Sequence, residues 1–149
     1  MESQKSFSME MHSLHILLLR KISKISDISE YDQNVTLMQS RIIEFLIQNK
    51  DKEIFQRDIE KIFEIRHPTA TKTLESMEKC GLIERHGIDY DARLKQIFLT
   101  EKALQIRQNV FKIFDRFETD MVKGLTKEEL SAFFKIVDKV KHNLREIER

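Results

Sequence analysis

A cluster of polar and cationic side chains opens one short predicted helix of the chain. Its members carry hydrogen-bonding groups or positive charge, and they are Arg66, His67, Thr69, Thr71 and Lys72. Ala70 and Leu74 share a helix face with Met77 and are therefore expected to point toward a core. His67 and Thr71 then lie one turn apart on the outer face. Such a surface suits contact with base edges in a DNA groove, and a helix N-terminus also favours a phosphate.

A second group of cations lies in a predicted β-hairpin that follows this helix. Two short β-compatible runs, Leu82–Arg85 and Leu94–Leu99, flank the turn-rich stretch His86–Arg93. Short β-compatible runs on either side of a Gly- and Asp-containing turn are typical of a hairpin. The pattern places Arg93 at a basic tip, with Lys95 just beyond it, so these two side chains are further candidates for contact with DNA.

Six helices are predicted to position these side chains, because apolar residues recur at spacings of three and four. They are about Ser8–Ile28, a helix from the capping box Thr36–Gln39, about Gln56–Phe63, Pro68–Lys79, a helix capped by Thr100, and a last helix from the capping box Thr126–Glu129. The polar stretch Ser26–Asn34 is predicted to be a connection. Two short helices with a tight connection, followed by a hairpin, indicate a winged helix-turn-helix. The fold class is therefore mainly α with a small β-hairpin wing.

The second and third helices are each expected to bury one face. The residues predicted to be buried are Ile42, Ile43, Phe45 and Leu46 in the second helix, and Ile59, Ile62 and Phe63 in the third. These faces would form the core on which the cationic helix rests.

The last helix carries a regular apolar seam. Its residues step by three and four, and they are Leu130, Phe133, Val137, Val140, Leu144 and Ile147. A seam of this kind is typical of a helix that packs against another helix. It is too apolar and too regular to face water, so the sequence predicts a homodimer that uses both chain ends.

Composition narrows the classes of protein and of function. The chain has 149 residues, 40% of them hydrophobic and 34% charged, which fits one globular, helix-rich domain. Its net charge is only +1, so attraction to DNA has to come from local placement of cations. With three glycines, one cysteine and no catalytic motif, no enzyme and no disulfide are expected. The N-terminal stretch does not resemble a signal peptide and no apolar run spans a membrane, so a cytoplasmic protein is expected.

The residues of the helix-turn-helix and hairpin resemble those of the MarR family of transcriptional regulators. The stretch Arg66–Arg85 is similar to the recognition helix and first wing strand of that family. Asp91-Ala-Arg93, followed by Leu99-Thr100, is similar to its wing signature. Family members often carry Ser or Thr where this chain has Arg66, a departure that weakens the local helix cap. The resemblance extends over nearly the whole chain.

The resemblance implies a single domain over residues 1–149. Residues of about 1–32 and 101–149 would form dimerisation helices, so Leu14 and Leu17 join the seam residues as predicted dimerisation residues. Residues of about 33–100 would form the DNA-binding lobe. It further implies that Arg93 enters a minor groove and that the outer positions of the recognition helix read the major groove. The expected function is that of a sequence-specific transcriptional regulator, a repressor, that binds double-stranded DNA as a homodimer on a pseudo-palindromic operator. A small-molecule effector would bind between the dimer helices and the DNA-binding lobe, and no cofactor is expected.

Four other interpretations of these residues or of the chain stay open from the sequence. The 66–72 cluster could be an ordinary solvated helix face, and Arg93 could pair with Asp91. The chain could instead be a winged-helix module whose partner is a protein. It could also be a redox- or metal-responsive DNA-binding sensor that uses Cys80 or the histidines, although the negative end of a helix dipole disfavours a thiolate at Cys80.

Two further groups of residues have both a functional and a structural interpretation. His12 and His15 share a helix face, but two histidines supply only half of a zinc site, so no metal is predicted. A group of phenylalanines could line a ligand pocket, although such a stripe is more often core or dimer interface. These residues are Phe111, Phe114, Phe117, Phe133 and Phe134.

Overall fold

The computed structural model of the chain describes residues 6–28 and 35–147. Its helices and strands are α1 Phe7–Ile28, α2 Leu37–Gln48, α3 Gln56–Phe63, α4 His67–Lys79, β1 Ile83–Ile88, β2 Asp91–Leu99, α5 Glu101–Met121 and α6 Lys127–Ile147. The predicted mainly-α winged helix-turn-helix is therefore confirmed. The chain forms two compact units, Met1–Ile113 and Phe114–Arg149. The predicted connection Ser26–Asn34 lies mostly outside the described residues.

Three helices begin where the sequence predicts, because a local side chain satisfies their first backbone N–H groups. The Thr36 hydroxyl accepts from the Gln39 N–H at 3.2 Å, and the Thr36 N–H donates to the Gln39 side chain at 3.0 Å. Thr126 and Glu129 form the same reciprocal pair at 3.1 and 2.8 Å. The Thr100 hydroxyl accepts from the Ala103 N–H at 3.2 Å. Each cap of this kind contributes about 1 kcal/mol.

The core of the first unit gathers one face of each element around the helix-turn-helix. Its buried members are Ile42, Ile43, Leu46, Ile54, Ile59, Leu74, Met77, Leu82, Ile83, Ile97 and Ala103. The prediction that Ile62 is buried is wrong, since its side chain is 54% exposed. Only eight residues form α3, and Ile59 alone of them is buried, so the outer edge of this short helix carries Ile62. Phe45 and Phe63 are half-buried and meet edge to face, with ring centroids 6.0 Å apart.

The turn between α3 and α4 depends on a single left-handed residue. Glu64 has φ 53°, and the Ile65 N–H bonds back to the Glu60 carbonyl at 3.1 Å. The predicted start of α4 at Pro68 is corrected by one residue, because the helix begins at His67 with Pro68 in its first turn. Proline fits there because the first helical N–H groups have no intrahelical partner. Arg66 is the N-cap residue and forms no side-chain cap, as its type predicts.

The wing is longer, and its tip tighter, than the sequence predicts. β1 and β2 are antiparallel, with Ile83 opposite Leu99 and Gly87 opposite Lys95. The next pair is Ile88 with Asp91, so β2 bulges over residues 92–94. Arg93 is therefore not in the turn, as predicted, but on this bulge within β2. A Cβ on Gly87 would come within 3.3 Å of the Ala92 carbonyl, which explains why a residue without a side chain faces the bulge.

Candidate nucleic-acid interface

A hydrogen-bonded network joins α3 to the outer face of α4. The Gln56 amide nitrogen lies 2.8 Å from the Thr71 hydroxyl and 3.1 Å from Glu60 Oε1. The same Glu60 oxygen lies 2.6 Å from Nδ1 of His67. Two of the predicted DNA-contacting side chains, His67 and Thr71, are thus held by side chains of the preceding helix.

The Glu60 carboxylate is stabilised in its charged form by this network. Its pKa is lowered chiefly because the Gln56 amide donates to it; partial burial opposes the shift, and His67 adds to it. His67 itself remains largely open to solvent, with a side chain that is 75% exposed. The network therefore fixes the inner edge of the imidazole and leaves its outer edge free to meet a partner.

An ion pair fastens the wing to α4. Arg85 on β1 donates to Glu78 at 2.7 and 3.1 Å through two of its nitrogens. The pKa of Glu78 is lowered mainly by the hydrogen bond from Arg85; partial burial opposes the shift, and the positive charges of Arg85 and Lys95 add to it. Below the pair, the Thr100 hydroxyl donates to the Gly81 carbonyl at 2.6 Å. These contacts place the base of the wing beside the C-terminal half of α4.

The far end of the wing is tied to the loop before α3. The Tyr90 hydroxyl donates to Glu53 at 2.9 Å, and this hydrogen bond is the main reason why the pKa of Tyr90 is raised. Backbone bonding supports the same contact, since the Ile97 N–H donates to the Ile54 carbonyl at 2.8 Å. The wing is thus connected to the helix-turn-helix at its root, at mid-strand and near its tip.

Arg93 extends from the β2 bulge into solvent. Its side chain is 92% exposed. The Asp91 carboxylate accepts from the Arg93 backbone N–H at 3.0 Å and from its Nε at 3.3 Å. The pairing that the sequence left open is therefore present. It holds the base of the side chain and leaves the terminal guanidinium nitrogens available to another acceptor.

The remaining predicted DNA-contacting residues are exposed. Arg66, Thr69, Lys72 and Lys95 all face solvent. Within residues 6–28 and 35–147, Arg66, Lys72 and Lys95 form no ion pair, whereas Glu60, Glu78 and Asp91 are each engaged by a cationic or imidazole side chain. Arg66, Lys72 and Lys95 are therefore available to contact an anionic partner. This arrangement can bind a polyanion.

The predicted dimerisation residues are open in the single chain. On α1, Leu14 and Leu17 are exposed. In the second unit, α6 has no buried residue, and its seam residues are half-buried or exposed, with Leu144 at 57%. The role of these residues in dimerisation stays a prediction.

The residues of the alternative interpretations acquire no functional partner in the described part of the chain. Cys80 is half-buried and ends α4, where its carbonyl accepts from the Lys102 ammonium at 2.8 Å. His12 and His15 are exposed on α1, and no three His, Cys, Asp or Glu side chains of the described residues are grouped as metal ligands would be. Among the phenylalanines, Phe133 and Phe134 contact each other with ring centroids 5.7 Å apart.

Sequence reasoning missed the side chains that hold the interface in place. They are Glu53, Gln56, Glu60, Glu78, Arg85 and Tyr90. Only Gln56 and Glu60 give a local signal, because polar residues four apart on a helix share a face. The contacts of Glu53 with Tyr90 and of Glu78 with Arg85 join different elements, and residue spacing does not reveal them.

Comparison with known proteins gives one consistent result. The model of the MarR family matches residues 33–94. The transcription regulator MarR from Oenococcus oeni PSU-1 is 32% identical, with 88% of this chain and 97% of that chain covered and a TM-score of 0.72. The S. aureus MepR–DNA complex is 22% identical, with 96% and 99% covered and a TM-score of 0.79. The heme sensor protein PefR from Streptococcus agalactiae, in complex with heme, is 22% identical, with 96% and 95% covered and a TM-score of 0.62. At 22% identity, the last two structures show a similarity of fold only.

Within residues 6–28 and 35–147, each helix is too short or too polar to span a lipid bilayer.

Proposed function

Because the chain belongs to the MarR family of transcription regulators, we propose that it binds a pseudo-palindromic operator as a homodimer and represses transcription. In this proposal the first turn of α4 enters the major groove and Arg93 enters the adjacent minor groove. Contacts come from the predicted set Arg66, His67, Thr69, Thr71, Lys72, Arg93 and Lys95. The proposal involves no catalytic step, and it places the protein in the cytoplasm.

The observation that carries the proposal is the set of available cations on two connected elements. Arg66 and Lys72 are exposed and form no ion pair in the described part of the chain, and Arg93 extends from the wing that Arg85 fastens to α4. Phosphate contacts by such side chains supply most of the affinity for DNA and orient the helix, while base contacts select the sequence. The net charge of +1 leads us to expect modest affinity at physiological salt.

The dimer is proposed from the apolar faces of α1 and α6. Seam residues of α6 that stay exposed in the single chain, such as Leu144 and Ile147, would be covered by a second copy, together with Leu14 and Leu17 of α1. Helix pairing through a seam spaced by three and four residues is the arrangement that this pattern favours. A two-fold dimer presents two recognition helices to one face of the duplex.

The proposal also includes control of DNA binding by a small-molecule effector. Such a ligand would act by changing the spacing of the two recognition helices, because DNA binding requires both helices at one separation. The support for this part is that the chain belongs to the MarR family.

The proposal is tested by a mobility-shift assay on the DNA upstream of the protein's own gene. A retarded complex that survives excess random-sequence duplex is the expected result, and light scattering of the same sample should show a dimer. Binding that random duplex competes away equally well would contradict sequence-specific regulation. A monomer that binds DNA specifically would contradict the proposed dimer but not the proposed DNA binding.

A further inference from the structure

We infer that Gln56 and Glu60 of α3 are positioning residues that decide which hydrogen-bonding groups α4 presents to DNA. The inference rests on the proposed function, since it concerns the two side chains of α4 that would face base edges. It assigns an outward acceptor to His67 and an outward donor to Thr71. The basis is a count of donors and acceptors in the network that joins the two helices.

The Gln56 amide can donate only two hydrogens. Its nitrogen lies 2.8 Å from the Thr71 hydroxyl, 3.1 Å from Glu60 Oε1 and 3.2 Å from Nδ1 of His67. Two donations to the two oxygens use both hydrogens. The contact of 2.6 Å between Glu60 Oε1 and Nδ1 of His67 then needs a hydrogen from the imidazole, because an ionised carboxylate only accepts. Nδ1 of His67 therefore carries a hydrogen.

This assignment fixes the outer edge of the imidazole. In a neutral ring with its hydrogen on Nδ1, the other nitrogen is an acceptor. Because Nδ1 is engaged by Glu60 and the side chain is 75% exposed, that other nitrogen is the one left to meet a base. In the major groove, a hydrogen-bond acceptor matches the amino group of adenine or of cytosine. It does not match guanine or thymine, which present only acceptors there.

The Thr71 hydroxyl has the opposite polarity. It accepts from Gln56, so its own hydrogen remains to be donated to another group. In the major groove the acceptors are purine N7, guanine O6 and thymine O4. Replacing the Gln56 amide by a group that cannot donate would release Thr71 to rotate and would remove this preference.

Packing of α3 against α4 does not require the network. Ile59 of α3 and Leu74 and Met77 of α4 are fully buried in the shared core. The pairing of Glu60 with His67 lies at the rim, where an exposed ion pair or hydrogen bond adds little stability. Its larger effect is on orientation, since it restricts the rotamer and the tautomer of a side chain that is otherwise free in solvent.

The tautomer is measured directly in the folded protein without DNA. Two-bond proton–nitrogen correlation spectra of 15N-labelled protein are recorded at a pH high enough that the imidazole ring is neutral. We expect the Nδ1–H form in the wild type and an exchange between both forms in Glu60→Ala. A wild-type ring that carries its hydrogen on Nε2 would overturn the inference. This measurement is independent of how strongly a variant binds DNA.

The consequence for base reading is measured by selection from a duplex library with a randomised central segment. The wild type should enrich a motif with adenine or cytosine favoured about tenfold at one position of each half-site, which is the discrimination typical of one good base contact. His67→Ala and Glu60→Ala should both lose that preference at the same position. Gln56→Ala and Thr71→Val should lose a second, shared position. Lys61→Ala, an exposed substitution on α3 outside the network, is the matched control and should retain the whole motif.

The outcomes separate this inference from the function on which it rests. A wild type that enriches no motif would overturn the proposed function and this inference together. A clear wild-type motif that Glu60→Ala and Gln56→Ala leave unchanged would overturn this inference alone. Circular dichroism and melting curves confirm that each variant is folded before selection, and the spectra above decide the tautomer if Glu60→Ala unfolds.

Discussion

Replacing Lys72 with alanine should reduce the salt dependence of DNA binding by a predictable amount. The ammonium of Lys72 is exposed on α4 and forms no ion pair within the described residues, so its removal breaks no salt bridge there. A surface substitution of this kind changes the free energy of unfolding by no more than about 0.5 kcal/mol. A change in DNA binding would then reflect a lost contact with phosphate and not a damaged fold.

The magnitude depends on how many recognition helices are bound. Each lost phosphate contact lowers the slope of log affinity against log salt concentration by about 0.9. If one helix is bound, the ratio of wild-type affinity to Lys72→Ala affinity should therefore fall about 3.5-fold between about 50 and 200 mM salt. In a dimer with both helices bound, two phosphate contacts are lost and the slope changes by about 1.8. The same ratio of affinities should then fall about 12-fold.

Fluorescence anisotropy of a labelled duplex across this salt range measures both slopes. Lys139→Ala on α6 is the matched control, because it removes the same charge from a residue outside the predicted DNA-contacting set. We expect the slope of the control to equal that of the wild type. If Lys72→Ala also has the wild-type slope, Lys72 does not contact phosphate and the placement of α4 on DNA is wrong.

Four further predictions concern the wing, the dimer, the core and the operator. Arg93→Ala should weaken binding more on A·T-rich than on G·C-rich flanks, because an arginine in a narrow minor groove reads its shape; equal losses on both in anisotropy titrations would contradict this role. Val140→Glu together with Leu144→Glu should give monomers or aggregates, and a well-folded dimer by light scattering would exclude the α6 seam as the interface. Leu74→Ala should lower the free energy of unfolding by about 3 kcal/mol in urea titrations, because Leu74 is fully buried; a loss below about 1 kcal/mol would show that the site collapses without a cavity. Inserting about five base pairs between half-sites should abolish specific protection in footprinting, since one half-site would rotate to the opposite face; unchanged protection would argue against a symmetric dimer.

Local interactions explain why much of the fold could be predicted. The capping pairs at Thr36 and Thr126 each involve residues three apart, so residue type and spacing suffice to locate the start of a helix. Ala70, Leu74 and Met77 are buried as predicted, because spacings of four and three residues bring them to the same face of the helix. The recognition helix and its exposed polar face followed from these two rules.

The geometry of the candidate site was less accessible to sequence reasoning. Arg93 was predicted at a turn but lies on a bulge of β2, and the bulge arises from a pairing register that involves both strands. Glu64 adopts a left-handed conformation that its residue type does not favour, and the compact turn of the helix-turn-helix imposes it. Ile62 was predicted to be buried from its spacing, yet α3 is too short to bury it.

The sequence by itself determined which elements form, where most of them begin and, with Ile62 as an exception, which helix faces are buried, because those properties depend on neighbours within a few residues. Only the tertiary structure decided what the exposed side chains contact. His67 is held by Glu60 from another helix, Arg85 is paired with Glu78, and the tip of the wing is tied to the α2–α3 loop. Such pairs join residues whose separation along the chain carries no signal. They form because packing of the buried core brings their elements together, and the core therefore sets the orientation of the groups that would meet DNA.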